Sequence, residues 1–200
     1  MVQFVYLASQ SPRRRQLLEQ LGVRYELLLP DAGEDSEALE LALDNEAPAP
    51  YVKRVTSLKL DAASARLARR QLPPAPILCA DTTVALGRTI YGKPDDACHA
   101  ERMLSELSGK THRVLTAVNI QSGPQRYCAL SSSKVSFEPM TADQISRYAA
   151  TGEPLGKAGA YAIQGRVSMH ITRINGSYSG IMGLPLWETA SLLRAAGLEI

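Results

Sequence analysis

Three consecutive arginines, Arg13-Arg14-Arg15, stand where a helix is expected to start. A helix N-terminus is partially positive, so each exposed cation there costs roughly 0.3–1 kcal/mol. A solvated, salt-screened basic patch is one reading of the triplet. Its surroundings suggest another. An apolar strand leads into Ser9 and Ser11, and Pro12 opens the helix. Hydroxyls, free backbone N–H groups and guanidinium forks then meet in one place, a combination suited to a phosphate chain.

Asp81 is the second residue out of place. It separates Ile77-Leu78-Cys79-Ala80 from Val84-Ala85-Leu86, which otherwise read as core strand. A lone Asp at a strand end is commonly a turn former or an acceptor for neighbours such as Thr82 and Thr83. At the edge of an open α/β sheet the same acid serves as metal ligand or general base. Metal-assisted attack of water on a phosphate needs few protein carboxylates, because Mg²⁺ keeps water and phosphate oxygens around it. Lys59 falls, at about 100° per residue, inside the apolar stripe of Val52, Val55, Ala62 and Ala63. It either snorkels outward or points into a cleft toward phosphate. Lys93 and Lys157 sit in glycine-flanked turns, and the glycines at 152, 156, 159 and 165 let backbone approach a ligand closely. The GKS/T ending of a P-loop is missing, which disfavours that type of ATPase. No Ser-His-Asp or Cys-His arrangement is suggested.

These side chains need a frame. Residues 2–8 read as a strand, followed by a helix capped by Ser11 and stopped at Gly22, then a short strand over 26–29. Residues 30–50 hold an acidic run and three prolines and read as a surface loop or weak helix. A long helix is expected over 51–72, ended by Pro73-Pro74. An apolar strand over 76–86, broken at Asp81-Thr82-Thr83, follows it. A helix over 96–107 stops at Gly109, and 113–120 pairs with 131–137 across Gly123-Pro124. Thr141-Ala142-Asp143-Gln144 matches a capping box, 167–174 reads as a strand ending at Asn175-Gly176, and a last helix runs over 186–196. Strands and helices interleave without a repeat, so the class is α/β with a mixed sheet.

Composition sets the outer limits. Two hundred residues, 45% hydrophobic and 21% charged, can bury a real core. No apolar run approaches the roughly 18 residues of a membrane span. The start Met1-Val2-Gln3-Phe4 lacks the pattern of a secretory signal, and the expected location is cytoplasmic. Cys79, Cys98 and Cys128 are scattered and suit free thiols, while His99, His112 and His170 have no zinc-ligand spacing. Of the 20 acids, seven lie between Asp31 and Glu46, a stretch without Lys or Arg. The rest of the chain sets 22 basic residues against the remaining 13 acids. That surplus suits an anionic ligand, and a nucleic-acid surface would use it equally well. Against the latter stand the 6% aromatic content and the lack of a nucleic-acid motif.

Five ordered blocks run through nearly the whole chain: LASQSPRRRQLLEQLG at 7–22, CADTTVALGRTIYGKP at 79–94, MLSELSGKTHRV at 103–114, GEPLGKAGAYAIQG at 152–165 and INGSYSGIMGLPL at 174–186. Together they closely resemble the Maf family of nucleoside triphosphate pyrophosphatases. The resemblance implies a hydrolase that cleaves between the α- and β-phosphates with a divalent cation, Mg²⁺ or Mn²⁺. It implies a cleft between two lobes of an elongated, twisted mixed sheet flanked by helices, in a single domain over residues 1–200 that forms a homodimer. By the same resemblance Asp81 is the proton acceptor, assisted by Lys59 and Lys93. Asp81 and Glu34 hold the metal, and Ser9, Ser11, Arg14 and Lys157 meet the phosphates. Arg13, Thr82 and Gln164 match positions tied to base selectivity in the branch preferring dTTP and UTP. The 7-methyl-GTP branch of the family is expected to differ at all three places. The chain departs from the family pattern at Gly156, where Asp is usual, and at Thr56, Ala162 and Gly180. A non-catalytic nucleotide sensor linked to cell division, built from the same cations, is the rival reading.

Overall fold

The computed structural model describes residues 4–35 and 38–200. The first two residues of the expected opening strand, Val2 and Gln3, lie outside them. Strand β1 (Val5–Leu7) is fully buried, and helix α1 (Pro12–Gln20) begins as its sequence requires. The Ser11 hydroxyl accepts from the Arg14 N–H at 3.4 Å, Pro12 takes the first position, and Gly22 leaves the helix at φ 69°. Strand β2 (Tyr25–Leu27) lies parallel to β1. A 3₁₀ turn, Ala38–Glu40, interrupts the acidic segment before the long helix α2 (Pro48–Arg69). That helix starts three residues earlier than expected, with Pro48 in its first turn, and ends at Arg69, capped by Arg70, rather than at the prolines.

Strand β3 (Ile77–Leu86) is the largest departure from the sequence reading. It is continuous through Asp81-Thr82-Thr83, because β5 (Thr111–Ser122) pairs with it residue for residue, Asp81 opposite Ala117 and Thr82 opposite Thr116. An acid interrupts an apolar pattern without interrupting a ladder, since the ladder uses only backbone groups. The short β4 (Thr89–Tyr91) pairs with the far end of β3, and α3 (Ala97–Leu107) follows, capped by Asp96. β5 and β6 (Gln125–Phe137) form a long hairpin across Gly123, and α4 (Ala142–Ala149) carries the expected capping box. The strand expected over 167–174 is half wrong. Arg166–His170 is a 3₁₀ turn that buries Val167 and His170 three residues apart, the eclipsed spacing of such turns. Only Ile171–Asn175 extends, as β7 beside β6. A short helix α5 (Tyr178–Met182), unforeseen, is capped by Ser177 and stopped by Gly183 at φ 116°; α6 (Leu186–Ala195) ends the fold.

The seven strands form one mixed sheet in the order β2-β1-β3-β5-β6-β7, with β4 on β3. Side-chain alternation along β3 and β5 then divides the interior. Ala80, Val84, Val114 and Val118 face the larger core, with Leu17, Leu104 and Leu193 from the helices and Leu184 from the turn before α6. Cys79 packs with Leu60 and Ala63 of α2, and Ala85, Leu115 and Ala117 pack with Val52 and Val55 of the same helix. Helices therefore cover both faces, as the sequence patterning required. No helix among the described residues is long and apolar enough to cross a membrane.

The acidic segment is clamped onto α2 by arginines. Arg54 holds Glu46, Arg69 holds Asp31 and Glu34, and Arg70 reaches the Leu29 carbonyl at 2.8 Å. Buried Arg66 holds Glu34 at 3.0 Å and donates to the Leu28 carbonyl at 2.8 Å. The hydrogen bond from Arg66 brings the Glu34 carboxyl down from its ordinary 4.5 to about 2. Glu34→Gln strips Arg66 of its charged partner, at an expected cost of about 1–3 kcal/mol. The denaturant midpoint at neutral pH should fall with an unchanged slope. A depressed carboxyl stabilises above its unfolded-state value, so the gap between variant and parent should close as pH falls from about 4.5 toward about 2. A gap that persists in acid would rule the pair out as its source.

Candidate active site

The cleft follows from an irregularity in the sheet. β1 pairs with β3 only at Ile77 and Leu78, and the Ala8 N–H bonds to the Leu78 carbonyl before the chain turns away. β4 takes up the same edge of β3 only from Val84 onward. Between them, residues 80–83 have a strand partner on the β5 side alone, among the described residues. A cavity of about 560 Å³ opens on that free edge. Ligands commonly bind beyond the carboxyl ends of parallel strands, where the chain leaves the sheet.

Alternation sends Asp81 to the α2 face of the sheet and Thr82 to the opposite face, so the free edge carries two chemistries. Asp81 is only 7% exposed. Lys59 of α2 bonds its carboxylate and reaches Glu40 at 2.7 Å, while Lys93 reaches the other Glu40 oxygen at 3.0 Å. Burial pushes the Asp81 carboxyl above its ordinary value, and Lys59 and then Arg14 oppose the rise without cancelling it. Burial also acts on Glu40, but there Lys59 and Lys93 prevail and hold the carboxyl below its ordinary value. Tyr51 fixes the 3₁₀ turn that presents Glu40 by donating to its carbonyl at 2.8 Å.

On the other side the guanidinium of Arg14 is spread over three acceptors. Nε donates to the Gly183 carbonyl at 2.8 Å, one terminal nitrogen to Ser9 Oγ at 3.1 Å and the other to Thr82 Oγ1 at 3.4 Å. Five N–H groups less these three leave two unassigned on the Arg14 fork. Arg13 also lines the cleft, and burial lowers its pKa; Arg15, third of the triplet, is not part of the lining. Lys157 completes this wall. Burial lowers its pKa first, and repulsion from Arg13 adds to the shift.

Glycines hold the Lys157 loop in place. Gly159 lies at φ 70°, its N–H bonds to the Gly92 carbonyl at 2.9 Å, and a Cβ there would stand 2.8 Å from Val84. Glu153 fills the space a Cβ on Gly165 would take, accepting from Tyr148 Oη at 2.9 Å and from the Arg166 N–H. Tyr161, farther along, bonds through its hydroxyl to Nε2 of buried His112 at 2.8 Å. Burial takes that imidazole down to about 4, so it is neutral at physiological pH.

The cleft therefore gathers Ser9, Ser11, Arg13, Arg14, Lys59, Asp81, Thr82, Lys93 and Lys157, all anticipated from the sequence. Two anticipated residues lie elsewhere. Glu34 is tied to Arg66 and Arg69 away from the lining, and Gln164 is exposed outside it, while its neighbours Tyr161 and Ile163 turn inward. The acid that does reach the lining is Glu40, six residues along the same acidic run. Charge alone could not choose among those acids. The choice rests on the 3₁₀ turn and the Tyr51 bond.

The model of the Maf-like protein family matches residues 4–196. The chain belongs to the Maf family. A relative in Polaromonas sp. is 71% identical over 197 residues, covering 98% of each chain. Others in Albidiferax ferrireducens and Cupriavidus metallidurans are 65% and 63% identical, each covering the full length of both chains. All three are named dTTP/UTP pyrophosphatase. A solved nucleoside-triphosphatase/dITP/XTP pyrophosphatase from Mycobacterium abscessus aligns at 15% identity and TM-score 0.40, over 66% of this chain and 73% of its own. That likeness is too slight to carry an argument.

Within this Maf protein, Lys59 is the first influence pulling the buried Asp81 carboxyl down. Lys59→Met should therefore move the Asp81 titration upward. Carboxyl carbon shifts followed by NMR measure it. An unmoved titration would deny Lys59 that role.

Proposed function

We propose that this protein is a nucleoside triphosphate pyrophosphatase that hydrolyses dTTP and UTP to the monophosphate and pyrophosphate. The observation that carries the reading is the free β3 edge, where a buried carboxylate faces a cleft lined by five basic side chains besides the ion-paired Arg66. Identity above 60% to full-length relatives named for this activity supports the choice of substrate. Arg13, Arg14, Lys93 and Lys157 bind the triphosphate, with the Ser9 and Ser11 hydroxyls and the start of α1 beside them. Asp81 accepts the proton of the attacking water at a carboxylate oxygen, and Lys59 keeps that carboxylate ionised and aimed. The departing pyrophosphate carries its charge away among the same cations.

A divalent cation fits this donor set. Asp81 and Glu40 are oxygen donors joined through one lysine, and no cluster of three or more His, Cys, Asp or Glu side chains among the described residues could hold a metal by itself. Mg²⁺ or Mn²⁺ arriving with the triphosphate needs only one or two protein carboxylates. When bound, it neutralises phosphate charge and polarises the bond under attack. Glu34 contributes only by leaving Arg66, and Gln164 reaches the base only if residues 152–165 fold inward. The homodimer and the cytoplasmic setting carry over from the family resemblance as part of the same proposal.

Pyrophosphate release from purified protein, with Mg²⁺ or Mn²⁺ and each of dTTP, UTP, CTP, GTP, ATP and 7-methyl-GTP, tests the reading. Release is expected with dTTP and UTP preferred, and Asp81→Asn should fold normally while losing at least about 10²-fold in turnover. Preference for 7-methyl-GTP would keep the chemistry and overturn the specificity. Binding without release from any triphosphate would replace the enzyme with the nucleotide sensor.

A further inference from the structure

Thr82 owns one hydroxyl hydrogen, and its neighbours decide where that hydrogen points. Directly opposite on β5, Thr116 is 1% exposed and lies outside the cleft lining. Its hydroxyl donates to the Gly180 carbonyl at 2.7 Å, and its oxygen stands 2.9 Å from Thr82 Oγ1. A carbonyl only accepts, so the single Thr116 hydrogen is spent on Gly180. The bond between the two hydroxyls must then use the hydrogen of Thr82. What Thr82 keeps for the cleft is a lone pair, and Arg14 donates to it at 3.4 Å.

We infer that Thr116 is a positioning residue: by taking the Thr82 hydrogen it makes Thr82 a pure acceptor, and so sets the plane of the Arg14 guanidinium against the phosphates. This rests on the reading of Arg14 as a phosphate ligand. It also changes the part given to Thr82. A hydroxyl whose hydrogen is turned into the sheet cannot donate to a pyrimidine carbonyl, so Thr82 acts on the phosphate end of the substrate through Arg14.

The helix α5 closes the arrangement. Gly180, in its middle, accepts from Thr116, and Gly183, the cap just past its end, accepts from Arg14 Nε. A Cβ on Gly180 would stand 3.0 Å from Ser131 Oγ and 3.1 Å from the Ser177 Cβ, tighter than ordinary contact. The bare backbone of Gly180 keeps its carbonyl within reach of Thr116. One five-residue helix thus carries an acceptor for Thr116 and another for Arg14.

Inorganic pyrophosphate has phosphates and no base, so it separates the two roles. Its affinity is measured by titration calorimetry on the full chain, without turnover. Thr116→Val keeps the side-chain shape, leaves the Gly180 carbonyl only its bond from the Gly183 N–H and releases the Thr82 hydrogen. It should weaken pyrophosphate binding about tenfold, the loss expected of one misaligned charge-assisted hydrogen bond. Thr116→Ser, which keeps the hydroxyl, should restore the affinity. Thr82→Val should weaken it to the same extent as Thr116→Val, and the double variant should be no weaker than either. In turnover assays Thr116→Val should raise KM for dTTP and GTP alike, leaving their kcat/KM ratio unchanged. A changed ratio with unaltered pyrophosphate affinity would overturn the inference and return Thr82 to base recognition. If Thr116→Val does not fold, Thr82→Val decides: undiminished pyrophosphate binding in that variant refutes the proposal. Should no triphosphate be hydrolysed at all, the enzyme reading fails while the binding comparison still tests Thr116.

Discussion

Burying the charge of Asp81 is the constraint around which the rest of the molecule is organised. An ionised carboxylate taken out of water is unfavourable unless charges and hydrogen bonds meet it. In a seven-stranded sheet covered by helices on both faces, those partners must come from other elements. Lys59 supplies one charge from α2, and Arg14 supplies a second, more distant influence from α1. Neither fully offsets burial, since the carboxyl still sits above its ordinary value. A carboxyl raised in the folded state favours folding in its protonated form, and its ionisation above the unfolded value subtracts from stability. The fold therefore carries a cost at this position at neutral pH. The same balance leaves a carboxylate more basic than one on the surface, which is useful for accepting a proton from water.

The partners of Asp81 reach it because β3 is paired unevenly. A strand fully paired on both edges would offer only side chains to a ligand. Here β1 stops early and β4 starts late, so a short stretch of β3 presents an edge as well as two faces. Alternation then separates the acid, turned toward α2, from Thr82, turned toward α1 and α5. A phosphate chain lying along the edge can meet Lys59 and Lys93 from one side and Arg13, Arg14 and Lys157 from the other. Lys59 rides on the long helix α2, Arg13 and Arg14 on α1, and Lys93 and Lys157 on turns linked by the bond from the Gly159 N–H to the Gly92 carbonyl.

Local rules made much of this legible in the sequence. Ser11-Pro12, Asp96, and Thr141 with Gln144 specify helix starts through neighbouring atoms, and each stands where it was read. Lys59 and Asp81 were conspicuous because each breaks an apolar pattern, and the structure brings those two breaks together. Pattern could not distinguish a broken strand from a continuous one carrying a buried acid, because the difference lies in β5, thirty-odd residues away. Nor could it separate Glu40 from Glu34. Both acids belong to a run with no periodicity, and the selection is made by Arg66 and Tyr51 on α2. Helix α5 escaped notice because five residues are too few to show a helical period, and its cap is a serine inside a glycine-rich stretch. Thr116 gave no signal at all, since a threonine in a strand is ordinary and its importance lies in which way one hydrogen points.

That last case shows how the cleft is balanced without a ligand. Arg66 is neutralised by Glu34, and Glu40 and Asp81 answer Lys59 and Lys93, but Arg13, Arg14 and Lys157 have no carboxylate partner among the ion pairs of the described residues. Burial lowers the pKa of both Arg14 and Lys157, Asp81 opposes the shift at Arg14, and repulsion from Arg13 adds to it in each. Neutral acceptors, Ser9 Oγ, Thr82 Oγ1 and the Gly183 carbonyl, fix the direction of Arg14 without discharging it. Carboxylates in those places would hold the arginine more tightly and compete with an anionic ligand for its charge. Hydroxyls and carbonyls leave the positive field intact and spend little reorganisation when phosphate arrives, the arrangement expected of a site that stabilises charge by being built in advance. An anion brought among these three cations relieves the repulsion that Arg13 imposes on the other two.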